Sequence, residues 1–305
     1  MKYYLILNPG SCGGKNRKIF KRIFSLLNLA KVDYAYEITQ GMDDALRLSL
    51  KANKLDYDVI VAVGGDGTIN RVVNGFYDTQ GKRISKAKMG VIYTGTSPDF
   101  CKSYNIPYKN VDEAIRVLLE NNSRPIQIAK ITFADDSHVC YFSCCTNIGL
   151  GATLARYANS GIRKIAGDFL GTLVSLIRIL ILYHPKELLI RCDGFEQRLD
   201  RVFNLSIGKT FYIASGIKVK NDLKEGDGRF YLLTVKHLDT KHLPYCLKTI
   251  YSGREIPSNE MISLGYGKII EIHGDSEVEF DGDPQGYLPC RIEMAEESLE
   301  IITKW

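Results

Sequence analysis

Three glycines and one acid fall within four positions, Gly64-Gly65-Asp66-Gly67, directly after the apolar run Val59 to Val63. Thr68, Ile69 and Asn70 follow, and then Val72, Val73 and Phe76 on a helical period. The pattern reads as strand, tight turn and helix start. Glycines at such a turn let the backbone approach a ligand without Cβ clashes. The free N–H groups of the helix start, together with the helix dipole, favour phosphate. Asp66 is the unusual member, because a bare carboxylate repels phosphate. A divalent cation between the two resolves the conflict, and hard carboxylate oxygens suit Mg2+. An ordinary glycine-rich β–α turn with a solvated acid fits the same residues, and the spacing by itself weighs the two readings about equally.

The elements that must position this turn are legible on either side. Tyr3 to Leu7 reads as a buried strand that runs into Asn8-Pro9-Gly10-Ser11-Cys12-Gly13-Gly14-Lys15 and then a helix with Ile19, Phe20, Ile23, Phe24 and Leu27 on its apolar face. This is not a Walker A loop: Gly10 to Lys15 is one residue short, and Asn16 stands where Ser or Thr is needed. It remains a second phosphate-facing turn. Val32 to Ile38 is the next strand, with Thr39 or Asp43 expected to cap the helix carrying Ala45, Leu48 and Ala52. Met89 to Tyr93 is a fourth strand, and Pro98 fits the first turn of a helix after it. Asn110 to Asn121 is a helix with Ala114, Val117 and Leu118 on one face. Repeated β–α units up to about Pro125 predict a mostly parallel, three-layer domain. Ligands of such sheets sit beyond the carboxyl ends of the strands, where all the glycine turns lie.

From Ile126 the texture changes. Ile126–Phe133 and His138–Thr146 read as paired strands around the turn at Ala134 to Ser137, followed by a helical insert from Arg163 to Tyr183. Short strands with polar turns come next: Glu187–Cys192, Arg198–Ile207, Gly228–Val235, Lys268–His273, Glu277–Phe280, Arg291–Met294 and Leu299–Thr303. They predict an antiparallel β-sandwich. The expected boundaries are an α/β domain over 1–125, a sandwich with a helical insert over 126–290, and terminal strands over 291–305.

Composition narrows the function classes. At 305 residues and 45% hydrophobic content there is material for two cores. A formal net charge of +5 without any Lys/Arg block argues against nucleic acid, and it tolerates an anionic ligand or lipid surface. The apolar run at the N-terminus is too short for a signal peptide, and the best candidate for a membrane span, Phe169 to Tyr183, is broken by Arg178. The expected location is cytoplasmic, at most docked on the inner face of the membrane. The eight cysteines are expected to be reduced thiols. His138 and Cys144 lie ~20 Å apart along an extended strand, too far to share a metal, so they and Cys140 read as core residues.

At this point the residues resemble the diacylglycerol kinase catalytic family, in its bacterial soluble lipid-kinase branch, over essentially the whole chain. Gly64-Gly65-Asp66-Gly67-Thr68 is similar to the family's Gly-Gly-Asp-Gly-Thr signature, and Asn8-Pro9 to its first nucleotide motif. Thr39 before Gly41 is similar to a nucleotide-contacting Thr, Gly95-Thr96-Ser97-Pro98-Asp99-Phe100 to Gly-Thr-Gly-Asn-Asp-Phe, and Asp281-Gly282-Asp283 to Asp-Gly-Glu. The resemblance implies an α/β domain related to NAD kinases and phosphofructokinases plus a β-sandwich, with the last strands, over 291–305, returning toward the first domain. It implies ATP and Mg2+ as cofactors, a lipid substrate with a free hydroxyl, peripheral membrane contact and no nucleic acid; a homodimer is compatible with it. Asn8, Ser11, Thr39, Gly64, Gly65, Asp66, Gly67, Thr68, Ile69, Asn70 and Thr96 would line the nucleotide. Asp66 and Asp99 would hold the catalytic Mg2+, and Asp283 would be the general base. A structural Mg2+ would take the Asp227 carboxylate and the main-chain carbonyls of Lys224 and Arg229; a solvated turn at Glu225 to Gly228 weighs about equally.

Several positions depart from the family pattern. Asp283 replaces Glu, Ser97-Pro98 replaces Gly-Asn, Arg71 stands where Glu is usual, Cys12 where Gly is usual, and Gly208-Lys209-Thr210 replaces an Asn-Gly stretch. Pro98 stiffens its loop. The apolar insert from Ile162 to Tyr183 suits either a lipid access path or core packing. Arg156, Arg163, Lys164 and Arg178 suit either anionic head groups or solvent. A lipid kinase is the first expectation. The rivals are a kinase of a soluble polyol or nucleotide on the same scaffold, and a nucleotide-binding regulator with impaired catalysis. Diacylglycerol, phosphatidylglycerol, a sphingoid base and an undecaprenol-like alcohol all remain open as acceptors.

Overall fold

Uninterrupted apolar runs such as Val59 to Val63 form strands covered on both faces, and the first half of the chain builds its sheet from them. The computed structural model describes residues 1–11, 17–41, 43–135, 137–157, 182–213, 217–280 and 283–304. The chain order is β1 (Lys2–Leu7), α1 (Arg17–Leu29), β2 (Asp33–Ile38), α2 (Asp44–Lys54), β3 (Val59–Gly64), α3 (Asp66–Asn74), β4 (Lys88–Tyr93), α4 (Asp99–Ser103) and α5 (Val111–Glu120). β2, β1, β3 and β4 are adjacent and parallel. Phe20, Ile23 and Leu27 of α1 and Ile115, Val117 and Leu118 of α5 pack with Leu5, Leu7, Val61 and Val63 on one face. Ala45, Leu48 and Ala52 of α2 and Ile69, Val72 and Val73 of α3 pack with Tyr4, Ile6, Ile60 and Ala62 on the other. The expected three-layer α/β domain is present.

Helix ends follow local chemistry. Asn110 Oδ1 accepts from Asp112 N (2.9 Å) and Glu113 N (3.4 Å), and Asn121 closes the helix in the left-handed region at φ 55°. Asn110→Ala is expected to cost ~1 kcal/mol, seen as a melting point lower by about 2–4 °C; an unchanged melting curve would mean the cap contributes nothing. The cap expected for α2 is different in kind. Asp43 occupies the cap position without a side-chain hydrogen bond, and Thr39 Oγ1 donates instead to Leu7 O at 3.3 Å. The carboxylate of Asp44 accepts from Gln40 N (2.7 Å) and Gly41 N (3.0 Å) and so fixes the turn before the helix.

The segment read as one strand from Ile126 to Phe133 is two, β5 (Ser123–Ile126) and β6 (Ala129–Phe133). They belong to different sheets. The remaining elements are β7 (Val139–Phe142), β8 (Cys145–Gly149), α6 (Leu150–Tyr157), β9 (Lys186–Cys192), β10 (Phe195–Gly208), β11 (Tyr212–Ile213), β12 (Ile217–Lys218), β13 (Phe230–Lys236), α7 (Leu243–Tyr251), β14 (Ile262–Gly267), β15 (Ile270–Gly274), β16 (Glu277–Phe280), β17 (Asp283–Tyr287), β18 (Cys290–Met294) and β19 (Leu299–Ile302). β19 is placed in the first sheet, parallel to β4 and antiparallel to β5. Eleven strands form the second sheet, and its pairings are antiparallel. Long β10 turns that sheet around its core. It pairs with β9 over its first half and with β8 and β13 over its second, with register shifts near Val202. Ile131, Phe142, Ile148, Leu205, Phe230, Ile272, Phe280 and Ile292 fill the interior. The segment read as one strand from His138 to Thr146 is likewise two, β7 and β8, and the reading missed α6, α7, β14, β17 and the short hairpin of β11 and β12.

Cys140 and Cys144 are buried as expected, but His138 is exposed, with Nε2 2.9 Å from Cys140 Sγ. Residues 158–181, which hold most of the expected helical insert with Arg163, Lys164 and Arg178, lie outside the described residues. Arg156 is described and forms an ion pair with Glu277 at 3.3 Å. No helix among the described residues is long and apolar enough to cross a membrane. The two sheets are joined beside the glycine turns. Asn74 of α3 donates to Tyr141 O (2.7 Å) and accepts from Tyr141 N (2.8 Å), and Tyr104 Oη donates to Ser143 O (2.8 Å).

Candidate active site

The carboxyl ends of β1, β3 and β4 bring three turns together. Backbone bonds set the frame: Asn8 N donates to Val63 O, and Thr94 N donates to Gly64 O, each at 2.9 Å. Side chains then tie the turns. Asn8 Nδ2 donates to Thr68 Oγ1 (2.8 Å), and Ser11 Oγ lies 2.7 Å from Thr94 Oγ1. Thr39 N donates to Leu7 O at 2.9 Å, which draws the end of β2 to the same edge. Asn8, Ser11, Thr39, Gly64, Gly65 and Thr68 thus lie at one edge of the sheet.

The glycines have spatial reasons. A Cβ on Gly64 would meet Thr68 Oγ1 at 2.4 Å, and one on Gly95 would meet Gly65 Cα at 2.6 Å. The Gly65 turn and the Gly95 turn therefore touch backbone to backbone. Gly65 is the extended N-cap of α3, and Ile69 N donates to Gly65 O. The N–H groups of Asp66, Gly67 and Thr68 precede that first intrahelical bond, so they have no acceptor within the helix and present a partial positive charge.

The two acids sit on facing helix starts. Asp66 opens α3 and Asp99 opens α4, and Asp66 Oδ2 accepts from Asp99 N at 3.2 Å. Asp99 is buried, at 8% exposure. Burial pushes the Asp66 carboxyl up, the Asp99 charge adds to this, and the backbone N–H groups of Asp99 and Phe100 pull the other way, leaving it at about 7. Asp66 Oδ1 is buried without a hydrogen-bond partner among the described residues. An orphaned buried carboxylate oxygen beside a second acid fits a hard cation, which would repay the desolvation. Among the described residues no three His, Cys, Asp or Glu side chains converge on a metal. Two carboxylates nevertheless suffice for Mg2+, which keeps waters and phosphate oxygens in its remaining positions.

Other expected residues are placed differently. Ile69 is buried in the core, its N–H bonded to Gly65 O, and Asn70 is buried beside Asn74, whose Nδ2 donates to Asn70 O at 2.8 Å. Thr96 is exposed on the Gly95 turn. Asp227 is enclosed by its own loop, accepting from Lys224 N (3.2 Å), Arg229 N (2.9 Å) and the Arg229 guanidinium (2.8 Å). Burial pushes its carboxyl up, but these donors outweigh burial and hold it below the usual range. Lys224 O accepts from Asp227 N. As arranged, Arg229 stands where a cation would sit. Asp281, Gly282 and the Asp283 side chain lie outside the described residues; the Asp283 backbone starts β17, opposite Phe280 of β16. Thr94 and Tyr93, at the end of β4, were not singled out by the sequence reading, and the Thr94 hydroxyl meets that of Ser11. The only signal was their position, as polar-tipped side chains at a strand end next to Gly95.

The sequence matches the diacylglycerol kinase catalytic domain over residues 2–131 and the YegS C-terminal NAD kinase beta sandwich-like domain over residues 146–303. A protein of Staphylococcus epidermidis named diacylglycerol kinase is 27% identical, with 98% of this chain and 91% of that protein covered. One of Staphylococcus aureus with the same name is 28% identical, covering 97% of this chain and 90% of that protein. A solved diacylglycerol kinase structure from Bacillus anthracis superposes with a TM-score of 0.72 at 21% identity, covering 99% of this chain and 97% of that one. A second chain from the same organism gives 0.76 at 22% identity over the same shares. These two likenesses show the fold.

Proposed function

The chain belongs to the family of lipid kinases that join a diacylglycerol kinase catalytic domain to a YegS-type C-terminal domain, and from that premise we propose that it transfers the γ-phosphate of ATP to a lipid hydroxyl, with diacylglycerol as the first acceptor to test. The observation that carries this reading is the acid pair of half-buried Asp66 and buried Asp99 at the mouth of touching glycine turns. Asn8, Ser11, Thr39 and Thr96 line the nucleotide, and the N–H groups of Asp66, Gly67 and Thr68 receive its phosphates. Asp66 and Asp99 are the residues that would hold Mg2+. When bound, that ion neutralises charge as it develops on the transferred group.

Asp283 orients the acceptor hydroxyl and takes its proton. A carboxylate is a weak base at neutral pH, yet phosphoryl transfer depends mainly on positioning and charge stabilisation. Asp283→Asn is expected to lower kcat by ~10²–10⁴-fold while nucleotide affinity stays unchanged, measured by steady-state kinetics and calorimetry. An unaltered kcat would remove Asp283 from the mechanism. Because the acceptor lies in a bilayer, the enzyme works at a membrane surface, and the net charge of +5 suits anionic lipid there.

The test is γ-labelled ATP supplied with a total lipid extract or with a soluble metabolite pool. Label is expected in the lipid fraction, as phosphatidic acid when diacylglycerol is the sole acceptor. Label confined to the soluble pool would overturn the lipid acceptor, and no transfer to either would overturn the kinase reading.

A further inference from the structure

The second ion that the resemblance implies, at Asp227, meets a different environment from the first. A carboxylate offers about four lone-pair sites, and four N–H groups converge on this one. Arg229 N reaches Oδ1 at 2.9 Å, while Lys224 N (3.2 Å), Arg229 Nε (3.1 Å) and Arg229 Nη2 (2.8 Å) reach Oδ2. An N–H hydrogen and a metal ion compete for the same lone pairs. Lys224 O, the expected carbonyl ligand, is turned back onto Asp227 N at 3.3 Å. Asp66, by contrast, keeps an oxygen without a partner among the described residues. Mg2+ needs converging oxygens in near-octahedral geometry, and the Asp227 loop does not fit it.

The guanidinium of Arg229 is held from its other side as well. Its Cζ lies 5.6 Å from the centre of the Tyr266 ring on β14, and Tyr266 Oη accepts from Asp222 N at 3.2 Å, at the start of the same loop. Phe230, the next residue, is fully buried in β13 and anchors the backbone. The loop in turn grips the joint between the two sheets. Glu225 pairs with Arg124 of β5 at 3.0 Å, and Gly228 N donates to Gln127 Oε1 at 3.3 Å. Gln127 lies between β5 and β6, where the chain passes from one sheet to the other, and its carbonyl accepts from Lys209 Nζ. We propose that Arg229 is the resident cation of this loop: its guanidinium takes the place of a divalent ion at Asp227, so the C-terminal domain and its joint with the first sheet keep their shape without metal there. A metal ion at Asp227 would meet the Arg229 charge at contact distance. The inference stands apart from the kinase reading, and nothing in it involves nucleotide or lipid.

Mn2+ prefers the same oxygen ligands as Mg2+ and can be counted by electron paramagnetic resonance. Asp66→Asn removes a charge of the acid pair, so the ion expected there does not obscure the count. The full chain carrying Asp66→Asn, and the same chain with Asp227→Asn added, are titrated with Mn2+ without nucleotide. Both are expected to bind the same number of ions with the same affinity. An ion bound by the first and lost from the second would place a metal at Asp227 and overturn the proposal. Arg229→Leu, in an otherwise unchanged chain, gives a second measurement that does not depend on Asp227 variants folding. In excess EDTA it is expected to melt about 2–4 °C below the parent, because the charge-assisted bonds and the stacking on Tyr266 are lost. Coincident melting curves would show that the guanidinium does not hold the loop, and would overturn the proposal too. Either failure leaves the kinase reading intact, since that reading rests on the labelled-phosphate assay.

Discussion

Asp66→Asn is expected to reduce phosphoryl transfer by on the order of 10³-fold or more while leaving the chain folded and, at pH 8, more resistant to heat than the parent. The two effects share one cause. Asp66 is held among the Asp99 carboxylate, the Asp99 N–H and buried walls, so its charged form is costly unless a cation is present. In the folded protein it keeps its proton up to about pH 7, whereas an ordinary Asp loses it near 3.8. Below about pH 4 both folded and unfolded chains hold the proton, and the residue costs nothing. As pH rises from 4 to 7 the unfolded chain ionises first, so stability falls, and above the folded value the loss is complete. The full loss is on the order of 4 kcal/mol. The amide of Asn never titrates, so the variant escapes that loss but gives up the charge that would hold Mg2+. Melting curves from pH 4 to 9 without metal should therefore diverge upward for the variant as pH rises, while activity is absent throughout. Parallel curves for parent and variant would mean that Asp66 is neither strained nor electrostatically coupled to Asp99.

What could be read in advance was local. The strand–glycine–helix units were visible because apolar runs of five or six residues, glycine turns and 3.6-residue stripes lie within short windows. Nonlocal placement was hidden. Ser123 to Phe133 carries no turn signal at Gln127 or Ile128, so nothing in it says that the chain changes sheets there. The return of the last strand toward the first domain was implied by the family resemblance, not by any local pattern, and its exact place, between β4 and β5 with Leu299 opposite Ile126, comes only from the structure. Asp43 and Asp44 are chemically identical candidates for one turn, and the backbone decides between them. His138 was grouped with Cys140 and Cys144 by alternation, but it precedes β7 and falls outside the buried face. In the site, residue types were legible and energies were not. Asp66 reads as an acid in a loop; that one of its oxygens is buried and unsatisfied follows only from Asp99 arriving on a second helix start.

Gly95→Ala is expected to cripple the enzyme through space rather than through backbone conformation, since Gly95 is absent from the left-handed glycines. Its Cβ would press on Gly65 Cα at 2.6 Å and on Tyr93 Cζ at 2.8 Å. Backbone at Gly65 has little room to yield, because Thr94 N and Ile69 N bond on either side of it, to Gly64 O and Gly65 O. The two turns must therefore separate, and Asp99 moves with the second of them relative to Asp66. A displacement on the order of 1 Å at such a site costs ~100-fold in kcat/KM, and overpacking costs ~1–3 kcal/mol of stability. Gly265→Ala supplies the contrast, for a Cβ there meets nothing within 4 Å; activity and melting point should match the parent. Adding Tyr93→Phe to Gly95→Ala removes the clash with the hydroxyl but leaves those with Gly65 Cα and the ring carbon Cζ, so the double variant should stay inactive. Recovery of activity in that double variant would locate the obstruction at the tyrosine and would show that contact between the two turns is not what holds Asp66 and Asp99 in register.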